Sequence, residues 1–251
     1  MNEMKILAIG NSFSEDASAY IHQMAVAAGK NVDITNLYIG GCPLELHCQN
    51  IETGGTYNYQ HNGIKTDRMI TIQEALELCQ WDVIVTQQAS HDSGWICTYE
   101  PFLGLLTDFI RQKAPNAKLY LQETWAYEHG STHSKFMRYN RNQQLMYNKL
   151  HECYTTMADK YHMGLIPSGT VIQKLRGVAE FNVPEGGISL CRDGFHMSFG
   201  YGRYTLACVW LKTLLGIELA DVNYMPESDY LQESPDPELL RKIRCYVDSW
   251  L

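Results

Sequence analysis

The chain has 251 residues, 45% of them hydrophobic and 19% charged, and carries a formal net charge of −8 at neutral pH. That length and composition suit one globular α/β domain with a full core, although length alone would also permit two, and exclude a disordered or fibrous chain. The acidic balance, with no Lys/Arg cluster, argues against nucleic acid and anionic membranes as partners and fits an enzyme acting on neutral or weakly polar substrates. Mild acidity that serves only solubility fits equally well.

Met1-Asn2-Glu3-Met4-Lys5 leads at once into a strand over residues 4–9, with no basic segment or cleavable apolar run before it. A helix is predicted over 15–28, closed by Gly29, and a second strand over 32–38. Residues 42–71 then form a long polar and aromatic insert in which Asn62-Gly63 is a hairpin-turn signal. Beyond it come a helix over 72–79, a strand over 83–87, a helix over 99–114 closed by Pro115, and a strand over 118–122. Residues 124–134 are rich in Trp, Tyr and His. A helix over 135–162 leads to a short strand over 164–167, helices near 171–176 and 200–215, and a tail helix over 236–250.

Short apolar runs alternating with helical patterns predict a parallel sheet covered on both faces, in a single domain spanning residues 1–251. Ligands of such sheets bind beyond the carboxyl ends of the strands, so 42–71 and 124–134 are placed to line a site. An insert that merely covers a sheet edge is the alternative. The apolar run over 209–219 is short and contains Lys212, so it does not span a bilayer.

Eight cysteines are scattered along the chain (Cys42, Cys48, Cys79, Cys97, Cys153, Cys191, Cys208 and Cys245) with no CxxC spacing, which gives zinc ribbons and thioredoxin-like chemistry little support. Cys79, Cys153 and Cys208 sit in apolar helical contexts and read as small buried hydrophobes. A reduced, cytoplasmic location is expected, with a secreted form whose leader has been trimmed left open.

The first strand ends in Ile9-Gly10-Asn11-Ser12-Phe13-Ser14. Gly10 permits a sharp turn and leaves Ser12 at the strand-to-helix junction, where free N–H groups and the helix dipole favour negative charge. A serine there can attack a carbonyl while its own N–H stabilises the oxyanion. Taken alone, Ser12-Phe13-Ser14-Glu15 reads more readily as a helix capping box.

A serine nucleophile needs an imidazole base and a carboxylate to orient that base. Cys191-Arg192-Asp193-Gly194-Phe195-His196-Met197-Ser198, just before the 200–215 helix, supplies both. Asp193 and His196 can reach each other on one loop, with Gly194 permitting the turn. A lone Asp-x-x-His is more often a loop cap or surface histidine, but combined with Ser12 it becomes a candidate triad in the order Ser, Asp, His.

Gly10-Asn11-Ser12-Phe13-Ser14 near the start and Asp193-Gly194-Phe195-His196 near the end resemble the blocks of the SGNH or GDSL hydrolases, and the resemblance extends over nearly the whole chain. Within that superfamily the sequence is most similar to a poorly characterised bacterial branch whose first block reads Gly-Asn-Ser-Phe. The resemblance implies a flavodoxin-like three-layer α/β/α sandwich with a five-stranded parallel sheet. It implies Ser12 as nucleophile, His196 as general base and Asp193 as its partner, with no cofactor. It also implies an oxyanion donor at Gly41 in Ile39-Gly40-Gly41-Cys42, with Gly40 a close rival.

The third block departs from the family's Gly-x-Asn-Asp. In Val85-Thr86-Gln87-Gln88-Ala89-Ser90-His91-Asp92, counting puts Ser90 where the asparagine donor stands, while Gln88 carries the chemically closer amide. Asn11 also stands where many relatives carry Asp, which we treat as a branch feature.

Trp95, Trp125 and Tyr127 follow strand ends and offer flat faces to a sugar ring or acyl chain, or else pack in the core. Glu123 reads as a partner for a substrate hydroxyl or as an ordinary loop acid. His91 and Asp92 are adjacent, and His129 and His133 lie four apart, but neither pair is backed by further ligands, so no metal is expected.

The expected function is therefore hydrolysis of an acyl ester on a small molecule or oligosaccharide, with O-acetylated carbohydrate favoured through the resemblance. Two rivals remain: a phosphate- or nucleotide-binding flavodoxin-like protein using the Ser12 helix terminus, and a non-catalytic carbohydrate-binding protein on the same fold. Oligomeric state is not legible.

Overall fold

Seven strands form one sheet in the computed structural model, which describes residues 3–227, 230–231 and 234–251. Met1 and Asn2, read as leading into the first strand, lie outside the described residues. The strands are β1 (Met4–Gly10), β2 (Val32–Tyr38), β3 (Thr56–His61), β4 (Ile64–Thr71), β5 (Val83–Thr86), β6 (Lys118–Gln122) and β7 (Gly164–Ile166), in the spatial order β4-β3-β2-β1-β5-β6-β7. The run β2-β1-β5-β6-β7 is parallel, whereas β3 pairs antiparallel with both β2 and β4.

The helices are α1 (Ser12–Ser18), α2 (Ile21–Ala27), α3 (Leu44–Thr53), α4 (Ile72–Glu77), α5 (Phe102–Lys113), α6 (Gln143–Lys160), α7 (Ser168–Leu175), α8 (Tyr201–Leu215) and α9 (Pro237–Trp250). One layer contains α1, α2, α8 and α9, with α8 touching the other three, and another contains α3, α4 and α5, while α6 packs beside β6 and β7 and α7 bridges α6 to α8 and α9. Ile6 to Ile9 on β1 and Val83 to Thr86 on β5 are buried throughout. Such uninterrupted burial is the mark of parallel strands covered on both faces.

The expected five strands form the contiguous parallel block, but the sheet is larger than predicted by two. Both additional strands come from the 42–71 insert, which folds as α3 followed by the β3–β4 hairpin and extends the sheet at its β2 edge. Edge strands escape a search for apolar runs because most of their side chains face water. In β4 only Ile70 is buried, and exposed Lys65, Asp67 and Arg68 leave the edge charged, as suits a strand that must not recruit another chain. The turn itself follows its chemistry: Asn62 and Gly63 both have positive φ, 50° and 81°.

Two predicted helices are interrupted. The 15–28 stretch divides at Ala19 and Tyr20 into α1 and α2. The 135–162 stretch breaks at Asn140 and Arg141, with φ of 54° and 51°, after which the Asn142 side chain accepts the Leu145 N–H and starts α6. All eight cysteines are free. No helix among the described residues is long and apolar enough to cross a membrane.

Candidate active site

The carboxyl ends of β1, β2 and β5 deliver three short loops to one edge of the sheet, and each contributes to a common cleft. At the first, Asn11 rather than Ser12 is the N-cap of α1: its Oδ1 accepts the Phe13 N–H at 3.0 Å. The same side chain donates to the Cys42 carbonyl at 3.0 Å and accepts from Gln87 Nε2 at 2.8 Å, so one buried amide ties three strand ends together. Ser12 is the first helical residue, and its hydroxyl is free of capping duty. The capping-box alternative therefore fails, and Glu15 instead pairs with Lys65 at 2.9 Å.

Gly10 is required for a reason other than its φ. A Cβ there would lie 2.5 Å from Ser14 Oγ, which is itself held by the Asn11 carbonyl at 2.8 Å and Asn36 Oδ1 at 2.7 Å. The close approach of α1 to β1 thus depends on the missing side chain.

The segment before α8 folds back on itself. Cys191 and Met197 form a β-bridge, the Arg192 N–H donates to the His196 carbonyl at 2.9 Å, and Gly194 turns the chain at φ 84°. Asp193 Oδ1 accepts the N–H groups of Phe195 at 3.1 Å and His196 at 2.7 Å, while Oδ2 lies 2.7 Å from His196 Nδ1. Burial raises the Asp193 pKa, but the imidazole and these two N–H groups outweigh it and hold the carboxyl below its usual value. On the other side of the ring, His196 Nε2 is 2.9 Å from Ser12 Oγ. Hydroxyl, imidazole and carboxylate form one hydrogen-bonded line.

That convergence is secured by a residue the sequence did not single out. Asp16, fully buried on α1, accepts the Met197 N–H at 2.8 Å and pairs with Arg192 at 2.9 Å and Arg203 at 2.8 Å. Arg192 also donates to the Met197 carbonyl. One carboxylate therefore pins the Asp193–His196 loop and the start of α8 to the helix that begins with Ser12. A faint signal was available, since Asp16 follows Ser12 by four residues and shares its helix face.

At the second loop, Gly40 and Gly41 line the cleft and Gly41 has φ 64°. Neither the Ser12 nor the Gly41 N–H meets an acceptor among the described residues. At the third, the two candidate side-chain donors part company. Gln88 is engaged in the scaffold, with Oε1 accepting the N–H groups of Leu44 and Ala89 and Nε2 donating to the Thr98 carbonyl. Ser90 lines the cleft and lies 3.0 Å from the Tyr127 hydroxyl.

The three aromatic residues singled out as ligand platforms do not face the cleft. Trp125 and Tyr127 have no exposed surface, and Trp125 stacks under Phe13 at 4.2 Å while donating to the Phe195 carbonyl. Trp95 is covered by the cations of Arg138 and Lys149 and leans on Tyr139. The segment after β6 turns Trp125 and Tyr127 inward beneath the cleft, and Phe13, Tyr38 and Phe195 supply the aromatic lining. Glu123 is likewise buried, held by His151 at 2.6 Å and the Thr170 N–H at 2.6 Å.

Among the remaining histidines, His91 and His133 line the cleft, while His129 is exposed outside it. Asp92 pairs with Arg138 and with His91, and these hydrogen bonds hold its pKa down at about 2 against burial. His133 Nδ1 accepts the Lys135 N–H at 3.2 Å, so the neutral ring carries its proton on Nε2. Burial, helped by His91 and His196, lowers the His133 pKa and favours that neutral form. No group of three or more metal-ligating side chains occurs among the described residues.

The cleft has a volume of about 370 Å³. Glu15, Lys65 and Arg192 form a wall shared with a larger groove of about 740 Å³, lined by Tyr20, Gln23, Gln60, Phe199 and Tyr224 among others.

Comparison with solved structures identifies the architecture. A protein from Slackia heliotrinireducens provisionally assigned as an SGNH hydrolase superposes with a TM-score of 0.59 at 21% identity, over 85% of this chain and 100% of that one. An acetylxylan esterase from Geobacillus stearothermophilus gives 0.55 at 12% identity, over 86% and 95%. At such identities the likeness establishes the fold, which is the three-layer α/β architecture of SGNH hydrolases. A family model described as a domain of unknown function, DUF4886, matches residues 5–236. A DUF4886 family protein from Bacteroides uniformis is 33% identical with a TM-score of 0.86, over 99% of this chain and 94% of that one. The chain belongs to the DUF4886 family. A search of curated proteins finds no match.

Proposed function

We propose that the protein is a carboxylic-ester hydrolase that works through an acyl-enzyme on Ser12. The observation that carries this reading is the continuous line from Asp193 through His196 to Ser12, at 2.7 and 2.9 Å. His196 Nε2 takes the Ser12 proton as Oγ attacks the ester carbonyl, and Asp193 holds the ring and stabilises the imidazolium. The resulting oxyanion is met by the N–H groups of Ser12 and Gly41 and by the Ser90 hydroxyl. His196 then gives its proton to the departing alcohol. In the second half, His196 deprotonates water, which attacks the acyl-enzyme and frees the acid.

We assign the alcohol portion to a carbohydrate and the acyl portion to a short chain such as acetyl. A small cleft that opens into a larger groove of mixed aromatic and polar lining supports this division. The shared fold of an acetylxylan esterase is consistent with it.

Turnover of p-nitrophenyl acetate tests the chemistry. Wild type is expected to hydrolyse it and to be labelled on Ser12 by a fluorophosphonate, whereas Ser12→Ala and His196→Ala lose both turnover and label. Folded variants that hydrolyse as well as wild type would remove the triad assignment, and a protein that binds phosphate without becoming labelled would favour the flavodoxin-like alternative. Release of acetate from acetylated oligosaccharides, compared with acyl chains of increasing length on p-nitrophenol, tests the substrate class. A preference for long chains would overturn it.

A further inference from the structure

By the sequence resemblance Ser90 stands where SGNH hydrolases place an asparagine amide, and a hydroxyl differs from an amide in a way that matters here. An amide N–H points in a direction fixed by its plane, whereas a serine proton rotates freely and is as ready to turn away from an anion as toward it. Stabilisation by a donor depends on its being aimed before the charge develops. The structure contains a device that aims it.

Tyr127 has no exposed surface, and its hydroxyl is 3.0 Å from Ser90 Oγ, which is its hydrogen-bond partner among the described residues. Its ring is wedged against His133 at 4.5 Å, Phe136 at 5.6 Å and Phe195 at 5.7 Å, and its N–H is taken by Met146 Sδ. Burial raises the phenol pKa, so it keeps its proton. A buried O–H left without an acceptor is costly, and here the acceptor it has is the Ser90 oxygen. Tyr127 is therefore the donor of the pair. With that lone pair occupied, the Ser90 proton is turned away from Tyr127, and the open side of Ser90 is the cleft that also holds Ser12 and Gly41.

The geometry points to Tyr127 as a positioning residue that locks the Ser90 hydroxyl as a donor toward the oxyanion, so that a serine and a buried phenol together replace the asparagine. This inference rests on the ester-hydrolase proposal and deepens it.

The test is a double-mutant cycle on kcat for p-nitrophenyl acetate, with thermal unfolding measured for each variant. Ser90→Ala is expected to lower kcat about 10²–10³-fold with KM little changed, as for loss of one oxyanion donor. Tyr127→Phe is expected to lower kcat at least tenfold in the wild-type background and to have no further effect on Ser90→Ala. In Ser90→Asn, whose amide needs no aiming, Tyr127→Phe is expected to matter little. Equal losses from Tyr127→Phe in all three backgrounds would show a merely structural role and overturn the inference. So would wild-type kcat in Ser90→Ala, whether or not Tyr127→Phe folds. Both outcomes leave the Ser12 chemistry standing. An inactive wild type, by contrast, removes the ester-hydrolase reading itself, and this inference with it.

Discussion

Asp16 and Arg192 meet at 2.9 Å across 176 residues of sequence, joining the helix that starts with Ser12 to the loop that carries Asp193 and His196. Arg203 shares the same carboxylate, and the Met197 N–H takes its second oxygen. The relative position of Ser12 and His196 is thus set by a charge cluster around the buried Asp16 carboxylate.

Asp16→Asn keeps the shape of that cluster but removes its buried charge, leaving Arg192 without its carboxylate partner and Arg203 with only the more distant Glu15, at 3.8 Å. Breaking a buried pair in this way costs about 3–5 kcal/mol, and urea denaturation is expected to show a loss of that order. Activity on p-nitrophenyl acetate should fall as well, because the His196 loop is released. A variant as stable and active as wild type would show that the loop is held by other contacts.

Gly10→Ala places a methyl group 2.5 Å from Ser14 Oγ, and Ser14 is fixed by Asn11 and Asn36. Overpacking of this kind costs about 1–3 kcal/mol. Since α1 must move to relieve it, kcat should fall more steeply than stability predicts. Adding Ser14→Gly removes the clashing side chain and is expected to recover activity; a double variant no better than Gly10→Ala would contradict this account.

The hairpin offers an independent probe of the insert. A Cβ on Gly63 would lie 2.2 Å from the Ala19 carbonyl oxygen, and the residue holds φ 81°. Backbone cannot yield as a side chain can, so Gly63→Ala should cost at least about 1–3 kcal/mol. Because Gly63 and Lys65 border the larger groove, KM for a carbohydrate ester should rise while kcat for p-nitrophenyl acetate changes little. Unchanged stability would mean that the hairpin does not dock on α1 and α2 as described.

His47 gives stability a pH dependence of known sign. Burial lowers its pKa from 6.5 to about 3, so the folded protein keeps the ring neutral where the unfolded chain takes up a proton. Its contribution is complete above pH 6.5 and is lost as pH falls from there toward 3, at about 1.4 kcal/mol per unit. Urea denaturation at pH 7.5, 6 and 5 should show a shallower decline for His47→Gln than for wild type. Parallel declines would exclude His47 as the source.

Much of the fold was legible because buried parallel strands consist of unbroken apolar runs. Residues 6–9 and 83–85 are such runs, and although polar residues interrupt 32–38 and 118–122, those strands too were placed with the bounds they have. The β3–β4 hairpin was not, because β4 turns nearly all its side chains to water and looks like a polar loop apart from its Asn62-Gly63 turn. Ser12, Asp193 and His196 stood out only in combination and through the family resemblance, since a junction serine or an Asp-x-x-His alone reads as an ordinary cap. Asp16, Arg192 and Arg203 did not, since a buried ion pair and a solvated one are written with the same letters.

By itself, then, the sequence determined the parallel block of the sheet and the two segments, near its start and end, that hold chemically competent side chains. Both follow from relations between near neighbours: hydrophobic period, turn residues and residue type. The tertiary structure decided that Asn11 caps α1, that Gln88 serves the scaffold while Ser90 faces the cleft, and that Trp125 and Tyr127 turn inward. Each of those outcomes depends on which distant partner, such as Cys42, Leu44 or Phe13, arrives to satisfy a polar group or cover an apolar face, and local sequence does not specify that arrival.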